Sequence, residues 1–218
     1  MPNFVLIMKY ETLVKSFSKV KDLTLPGRIA HIETVPSHRS EILDKNLYEF
    51  TDAKSSAVLI YCYPKKKIMY LSLIKRTSYE GHHSGQICLP GGKPKKLDKS
   101  LFGTALRECN EELGIFLKHT KALSSLSPVY IPTSNFLVTP FVILDSNSPL
   151  FNPDPREVDF QIEISLNELI RLKVKQSVLN DGEFKGLSVP CYYYKDQIIW
   201  GATAMILSEF KMILGSTL

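Results

Sequence analysis

The chain has 218 residues, of which 44% are hydrophobic and 22% are charged, and this suits one globular domain with a sizeable core rather than a disordered protein. No segment approaches the roughly 18 consecutive apolar residues of a membrane-spanning helix, and the N-terminal apolar run is too short for a secretory signal, so we expect a cytoplasmic protein without a membrane partner. The formal net charge of +5 comes with no RNA-binding or helix-turn-helix signature, so it favours a small anionic substrate over nucleic acid.

The N-terminal quarter predicts one helix and then an irregular segment. Residues 9–22 place Leu13, Val14, Phe17 and Val20 at helical spacing, and the sequence Leu-Pro-Gly that follows ends the helix. The polar stretch after it predicts a segment that wraps around the main domain. We therefore divide the chain into an N-terminal helix and wrapping segment at 1–50 and a main domain at 51–218, which together form one structural unit.

The main domain alternates strands and helices irregularly. Two β-rich runs between 56 and 76, separated by Pro64 and a lysine turn, predict a β-hairpin. A Gly-rich loop leads to a helix at 100–113, with Asp98 or Ser100 as its N-cap and Gly114 at its C-terminal end. Further strands are predicted near 123–130, 136–144, 158–164, 188–194 and 197–200, and helices at 166–173 and 202–214. This order predicts an α/β fold with a mixed sheet and helices on both faces.

The helix that follows the Gly-rich loop carries three glutamates on one edge. At about 100° per residue, Glu108, Glu111 and Glu112 fall within an arc of roughly 100°. Such an edge is by itself more typical of a solvated acidic face. However, Gly91 and Gly92 remove side chains where backbone could approach a metal or a phosphate, and this favours a metal site. Carboxylate oxygens suit Mg²⁺ or Mn²⁺ better than zinc.

Gly91-Gly92 followed by RECNEELGI at 107–115 resembles the Nudix box. The second half of that pattern matches throughout. The first half is one residue longer than the common pattern, and Lys99 stands at the usual position of an internal glutamate, for which Asp98 is a substitute. The resemblance implies a Nudix-type α/β/α sandwich and a hydrolase that cleaves a phosphoanhydride bond with Mg²⁺ or Mn²⁺.

The sequence KRTSYEGHHSGQICLPGG is similar to a signature of one branch of that family, the coenzyme A diphosphatases. The matching residues, in order, are Arg76, His83, Gly85, Gln86, Pro90, Gly91 and Gly92. Gly81 departs from it, because the signature has a second arginine there. The resemblance implies cleavage of coenzyme A or acyl-CoA to 3′,5′-ADP and (acyl) 4′-phosphopantetheine. The residues we expect to bind the substrate are Arg76, His83, Gln86, Gly91, Gly92 and Lys93.

The same resemblance assigns roles around the cleaved bond. Glu108, Glu111 and Glu112 are the expected metal ligands, and one glutamate activates the attacking water. Arg107 is expected to pair with a neighbouring glutamate and hold its rotamer. Glu157 is a second candidate for the base or an outer ligand, with an exposed loop acid as the alternative.

Two other interpretations of the function stay open at this point. One is a Nudix hydrolase of another nucleotide, such as ADP-ribose, a dinucleoside polyphosphate or a nucleoside triphosphate. Another is a domain that binds a nucleotide or RNA without catalysis, against which the intact glutamates argue. The oligomeric state is open as well, with a homodimer as one option.

Overall fold

The computed structural model describes residues 10–20, 25–45, 50–78, 83–117, 120–180 and 182–216. The strands are β1 (Lys54–Lys65), β2 (Ile68–Arg76), β3 (Ile87–Cys88), β4 (Gly91–Gly92), β5 (Ser124–Ser125), β6 (Val129–Ile131), β7 (Phe136–Leu144), β8 (Val158–Ser165), β9 (Lys175–Val178), β10 (Ser188–Tyr194) and β11 (Gln197–Trp200). The helices are α1 (Tyr10–Val20), α2 (Arg28–His31), α3 (Leu101–Leu113), α4 (Leu166–Arg171) and α5 (Gly201–Gly215), with a 3₁₀ helix at Ser37–Asp44. Gly81, where the signature departs, lies outside the described residues.

The main sheet is built around β1. This strand pairs in parallel with β7 and antiparallel with β2 and β4. Strand β2 also pairs with β3 and β8, and β7 also pairs with β5 and β6. Strands β9, β10 and β11 form a second, antiparallel sheet. The prediction of a mixed sheet is therefore confirmed.

Alternation along β1 separates two layers of core. Leu59 and Tyr61 pack with the apolar side of α3, whereas Ile60 and Cys62 pack in the cluster that contains α5. Successive side chains of a strand point to opposite faces, so a strand with apolar residues throughout is covered on both faces. The result is an α/β/α sandwich, as predicted.

The N-terminal segment packs on the α5 layer. Leu13 and Phe17 of α1 are fully buried, and the ring of Phe17 stacks on Phe210 at a centroid distance of 5.7 Å. Farther along, the backbone N–H of Gly27 donates to buried Glu209 at 2.9 Å. None of the helices in the described part of the chain combines the length and apolar character needed to span a membrane.

Several short elements differ from the prediction. The strand expected near 123–130 is divided into β5 and β6, and β3, β4, α2 and β9 were not predicted. Two to four residues are too few to show a hydrophobic period, so such elements are defined by their partners. The two glycines of β4, for example, pair with Ala57 and Val58.

Candidate active site

Both ends of α3 are fixed by local interactions. Ser100 is the N-cap, and its side chain accepts a hydrogen bond from the backbone N–H of Gly103. Gly114 ends the helix in the left-handed region with φ of 61°. A Cβ at this glycine would lie 1.8 Å from the carbonyl oxygen of Asn152, so only glycine fits. These two ends determine where the helix presents its glutamates.

Three carboxylates converge beside α3. Ligand oxygens of Glu108, Glu112 and Glu157 all lie within 4.8 Å of one another. Glu157 comes from the turn before β8, and its backbone carbonyl accepts a hydrogen bond from Thr77 at 3.1 Å. Oxygen ligands of this kind are those that Mg²⁺ and Mn²⁺ prefer, and a divalent cation would offset the repulsion between the three anions.

Glu112 is the most deeply placed of these carboxylates, with none of its surface exposed. Its Oε2 accepts a hydrogen bond from the backbone N–H of Gly91 at 2.8 Å. Its Oε1 has no hydrogen-bond partner and lies 3.4 Å from Nη2 of Arg76. Burial raises the pKa of Glu112 to about 8, although Arg76 and the Gly91 N–H act in the opposite direction. A buried carboxylate with one unsatisfied oxygen fits a metal ligand.

Arg107 connects two parts of the site. Its Nη1 donates to Glu108 at 2.7 Å and to Glu111 at 3.0 Å. Its Nε and Nη2 donate to Asp98, each at 2.9 Å. Hydrogen bonds from Arg107 and from the Lys95 backbone hold the pKa of Asp98 well below its usual range. Asp98, which we expected to substitute for the internal glutamate of the pattern, is therefore an ion-pair partner of Arg107.

Glu111 lies outside the group of converging carboxylates. Its side chain is 44% exposed, and it pairs with Arg107 and with Nζ of Lys95 at 3.0 Å. Lys99, the other departure from the common pattern, is exposed. In the described residues, the structure thus brings together Glu108 and Glu112 with Glu157 and leaves the third predicted ligand beside two cations.

The Gly91-Gly92 pair lies in close contact with backbone and carboxylate. A Cβ on Gly91 would be 2.3 Å from the carbonyl oxygen of Ala57, and one on Gly92 would be 2.7 Å from Cδ of Glu108. The carbonyl oxygen of Gly91 also accepts a hydrogen bond from Arg76 at 3.1 Å. Any side chain at either position would displace strand β1 or the carboxylate of Glu108.

His83 contacts the turn between β6 and β7, and Lys93 contacts the first residue of β7. The ring of His83 lies 3.2 Å from Gln86 Oε1 through Nδ1 and 3.2 Å from Ser134 Oγ through Nε2. Nζ of Lys93 lies 5.1 Å from the centroid of the Phe136 ring. The sequence did not identify Ser134 and Phe136 as site residues. They resemble an ordinary turn residue and an ordinary strand residue.

Comparisons with known proteins identify the fold independently. Residues 53–184 match the model of the NUDIX domain. The chain is 31% identical over 177 residues to the uncharacterized Nudix hydrolase NudL of Yersinia pestis (strain Pestoides F), covering 79% of this chain and 85% of that protein. The figures are the same for NudL of Yersinia pseudotuberculosis serotype O:1b (strain IP 31758). Among solved structures, the Nudix hydrolase RenU from M. smegmatis has a TM-score of 0.52 at 12% identity, covering 75% of this chain and 87% of that one, which shows a shared fold.

Proposed function

The chain belongs to the Nudix family of hydrolases of nucleoside diphosphate-linked compounds, and from this premise we propose that it hydrolyses the diphosphate bond of coenzyme A or an acyl-CoA. The products would be 3′,5′-ADP and (acyl) 4′-phosphopantetheine. One arrangement carries the proposal: Arg76 of the coenzyme A diphosphatase signature contacts both Gly91 and Glu112, beside the converging carboxylates.

We propose Glu108, Glu111 and Glu112 as metal ligands and include Glu157 because its carboxylate is within reach of two of them. Nudix hydrolases generally use a divalent metal such as Mg²⁺ or Mn²⁺. When bound, such a metal neutralises charge on the diphosphate oxygens and acidifies a water molecule. Which glutamate accepts the proton of that water, with Glu157 as one candidate, is part of the same proposal.

The cationic residues have separate tasks in this proposal. Arg107 holds Glu108 and Glu111 in fixed rotamers through its hydrogen bonds, so it positions the carboxylates rather than touching the substrate. Arg76 and Lys93 attract the phosphate groups, whereas the space that a side chain would fill at Gly91 and Gly92 is taken by strand β1 and by the carboxylate of Glu108. His83 and Gln86 bind the substrate from the loop before β3.

The 3′-phosphate of coenzyme A provides the test. A charge-assisted contact from Arg76, His83 or Lys93 is worth about 1.5 to 3 kcal/mol, which corresponds to roughly tenfold to a hundredfold in specificity. We expect kcat/KM for coenzyme A to exceed that for dephospho-coenzyme A, which lacks only this phosphate, by that factor. The absence of an arginine at Gly81 favours the lower end of the range.

The assay uses purified protein with Mg²⁺ or Mn²⁺ and identifies products by mass. ADP-ribose, a dinucleoside polyphosphate and nucleoside triphosphates serve as competing substrates, and excess EDTA serves as the control for metal dependence. Higher kcat/KM for dephospho-coenzyme A or ADP-ribose than for coenzyme A and its acyl derivatives would refute the substrate assignment, while membership of the Nudix family would stand.

A further inference from the structure

A small cavity lies between the signature loop and the second sheet. Its volume is about 190 Å³, and its apolar wall includes Ile87, Phe184, Ile198 and Trp200. The rings of Phe184 and Trp200 meet edge to face, with centroids 5.3 Å apart. Pockets that bind a whole drug-sized ligand measure roughly 300 to 1,000 Å³, so this cavity has room for only one segment of a larger substrate.

The cavity adjoins the proposed active site through two elements. Gln86 lines it, and the Oε1 of the same side chain contacts the ring of His83. Lys75 of β2 lines it too, and the next residue, Arg76, contacts Gly91 and Glu112. Side chains alternate along β2, so the cavity beside Lys75 and the carboxylates beside Arg76 lie on opposite faces of the sheet, and a substrate that reaches both passes around the end of β2.

Charge distinguishes the cavity from the phosphate-binding side of the loop. Among the described residues, the charged side chains that line it are two carboxylates, Glu183 and Asp196, and the single cation Lys75. Nζ of Lys75 also lies 3.8 Å from the carboxylate of Asp159. Such a lining repels a phosphate and leaves an uncharged group as the better occupant.

We propose that this cavity holds the uncharged pantetheine arm of the substrate, an inference that rests on the proposed function. The arm alternates amide groups with methylene and methyl groups. Its apolar parts match the wall formed by Phe184 and Trp200, and its amides match the polar side chains of Ser84, Gln86 and Asn180. The nucleotide end, which carries the phosphates, then lies toward Lys93 and His83.

Trp200 is the only tryptophan in the chain, so its fluorescence reports on this cavity. The wild-type protein with Mg²⁺ is titrated with each product to saturation, as defined by product inhibition of coenzyme A hydrolysis. We expect 4′-phosphopantetheine to change the Trp200 emission and 3′,5′-ADP to leave it unchanged. A change with 3′,5′-ADP alone, or with neither product, would overturn the inference.

Substitution of Phe184 provides a second measurement. Phe184→Ala removes one aromatic wall, so the inhibition constant of 4′-phosphopantetheine and the KM of coenzyme A should rise about tenfold, with that of 3′,5′-ADP unchanged. The matched control is Phe116→Ala, at an exposed position after α3 that does not line the cavity. A larger effect on 3′,5′-ADP than on 4′-phosphopantetheine would contradict the proposal.

The two proposals fail in different ways. If the wild-type protein does not hydrolyse coenzyme A, the proposed function is wrong and this inference falls with it. If coenzyme A is hydrolysed normally while Trp200 emission and the Phe184→Ala inhibition constants show no dependence on the pantetheine product, the inference alone is wrong.

Discussion

At the scale of single residues, Glu112 combines features that a merely structural carboxylate would not need. It is fully buried, one of its oxygens has no hydrogen-bond partner, and burial raises its pKa to about 8. Glu111, one residue earlier, is partly exposed and paired with Arg107 and Lys95. We propose both as metal ligands. Glu111 then has to leave its ion pairs with Arg107 and Lys95, whereas Glu112 already lies with the converging carboxylates.

Replacing either glutamate by glutamine tests this assignment. Each variant keeps the shape but loses a charged ligand, so turnover should fall by at least about a hundredfold. Glu112→Gln should keep or raise the metal-free melting temperature, because a neutral amide is less costly to bury than a carboxylate. The measurements are turnover at saturating Mg²⁺ or Mn²⁺ and thermal unfolding, with exposed Glu33→Gln as control. Near-normal turnover in both variants would show that the assigned cluster is wrong.

Asp98 and Lys99 form a second pair for comparison. Asp98→Asn weakens the ion pair with Arg107, so Glu108 and Glu111 lose part of their positioning, and we expect the turnover number to fall about tenfold. Lys99→Ala should keep most turnover, because an exposed lysine cannot replace a carboxylate ligand. Steady-state kinetics of both variants check this, and a large drop in turnover for Lys99→Ala with unchanged KM would contradict it.

At the scale of elements, α5 secures the segment around α2 to the sheet through one carboxylate. Glu209 is fully buried and accepts hydrogen bonds from the backbone of Gly27 at 2.9 Å and of Ser127 at 3.0 Å. The hydroxyl of Ser127 donates to it at 2.7 Å, and Nε2 of His31 lies 3.4 Å away. The Pro-Gly sequence therefore does more than end the predicted helix. The backbone N–H of Gly27 also donates a hydrogen bond to Glu209 of α5.

Glu209→Gln should lower the free energy of unfolding by about 1.5 to 3 kcal/mol, because several charge-assisted hydrogen bonds lose their anionic acceptor. Urea unfolding measures this, and Glu11→Gln on the exposed side of α1 is the control, expected within about 0.5 kcal/mol of wild type. An unchanged midpoint for Glu209→Gln would mean that the carboxylate does not secure this segment.

At the scale of the whole molecule, the two core layers differ in which parts of the chain they unite. The layer on α3 supports the proposed active site, whereas the layer on α5 includes Leu13 and Phe17 from the N-terminal helix. We propose that residues 1–50 and 51–218 unfold as one structural unit, since these buried side chains belong to the main core.

Phe17→Ala should therefore destabilise the entire protein by about 3 to 5 kcal/mol, as expected for truncating a buried phenylalanine. Val14→Ala is the control in the same helix, because Val14 is 36% exposed. Unfolding followed by circular dichroism and by Trp200 fluorescence should give coincident transitions in both variants. A separate early transition, or no loss of stability in Phe17→Ala, would show that the N-terminal helix is an independent attachment.

The sequence by itself determined the elements and residues whose signals are local. The helix at 100–113, an N-cap at Asp98 or Ser100, the Gly114 end and the common edge of the glutamates follow from spacing and backbone preferences within about 15 residues, and the structure decided for Ser100. The hairpin of β1 and β2 and the separate strands β10 and β11 follow in the same way from apolar runs.

Only the tertiary structure decided which distant groups meet. It placed Glu157 beside Glu108 and Glu112, and it set His83 against Ser134 and left Glu111 with its cationic partners. It also brought the second sheet against the signature loop to form the cavity. These contacts join residues tens of positions apart, and they depend on strand pairing and on the packing of both core layers, which no local pattern of residues encodes.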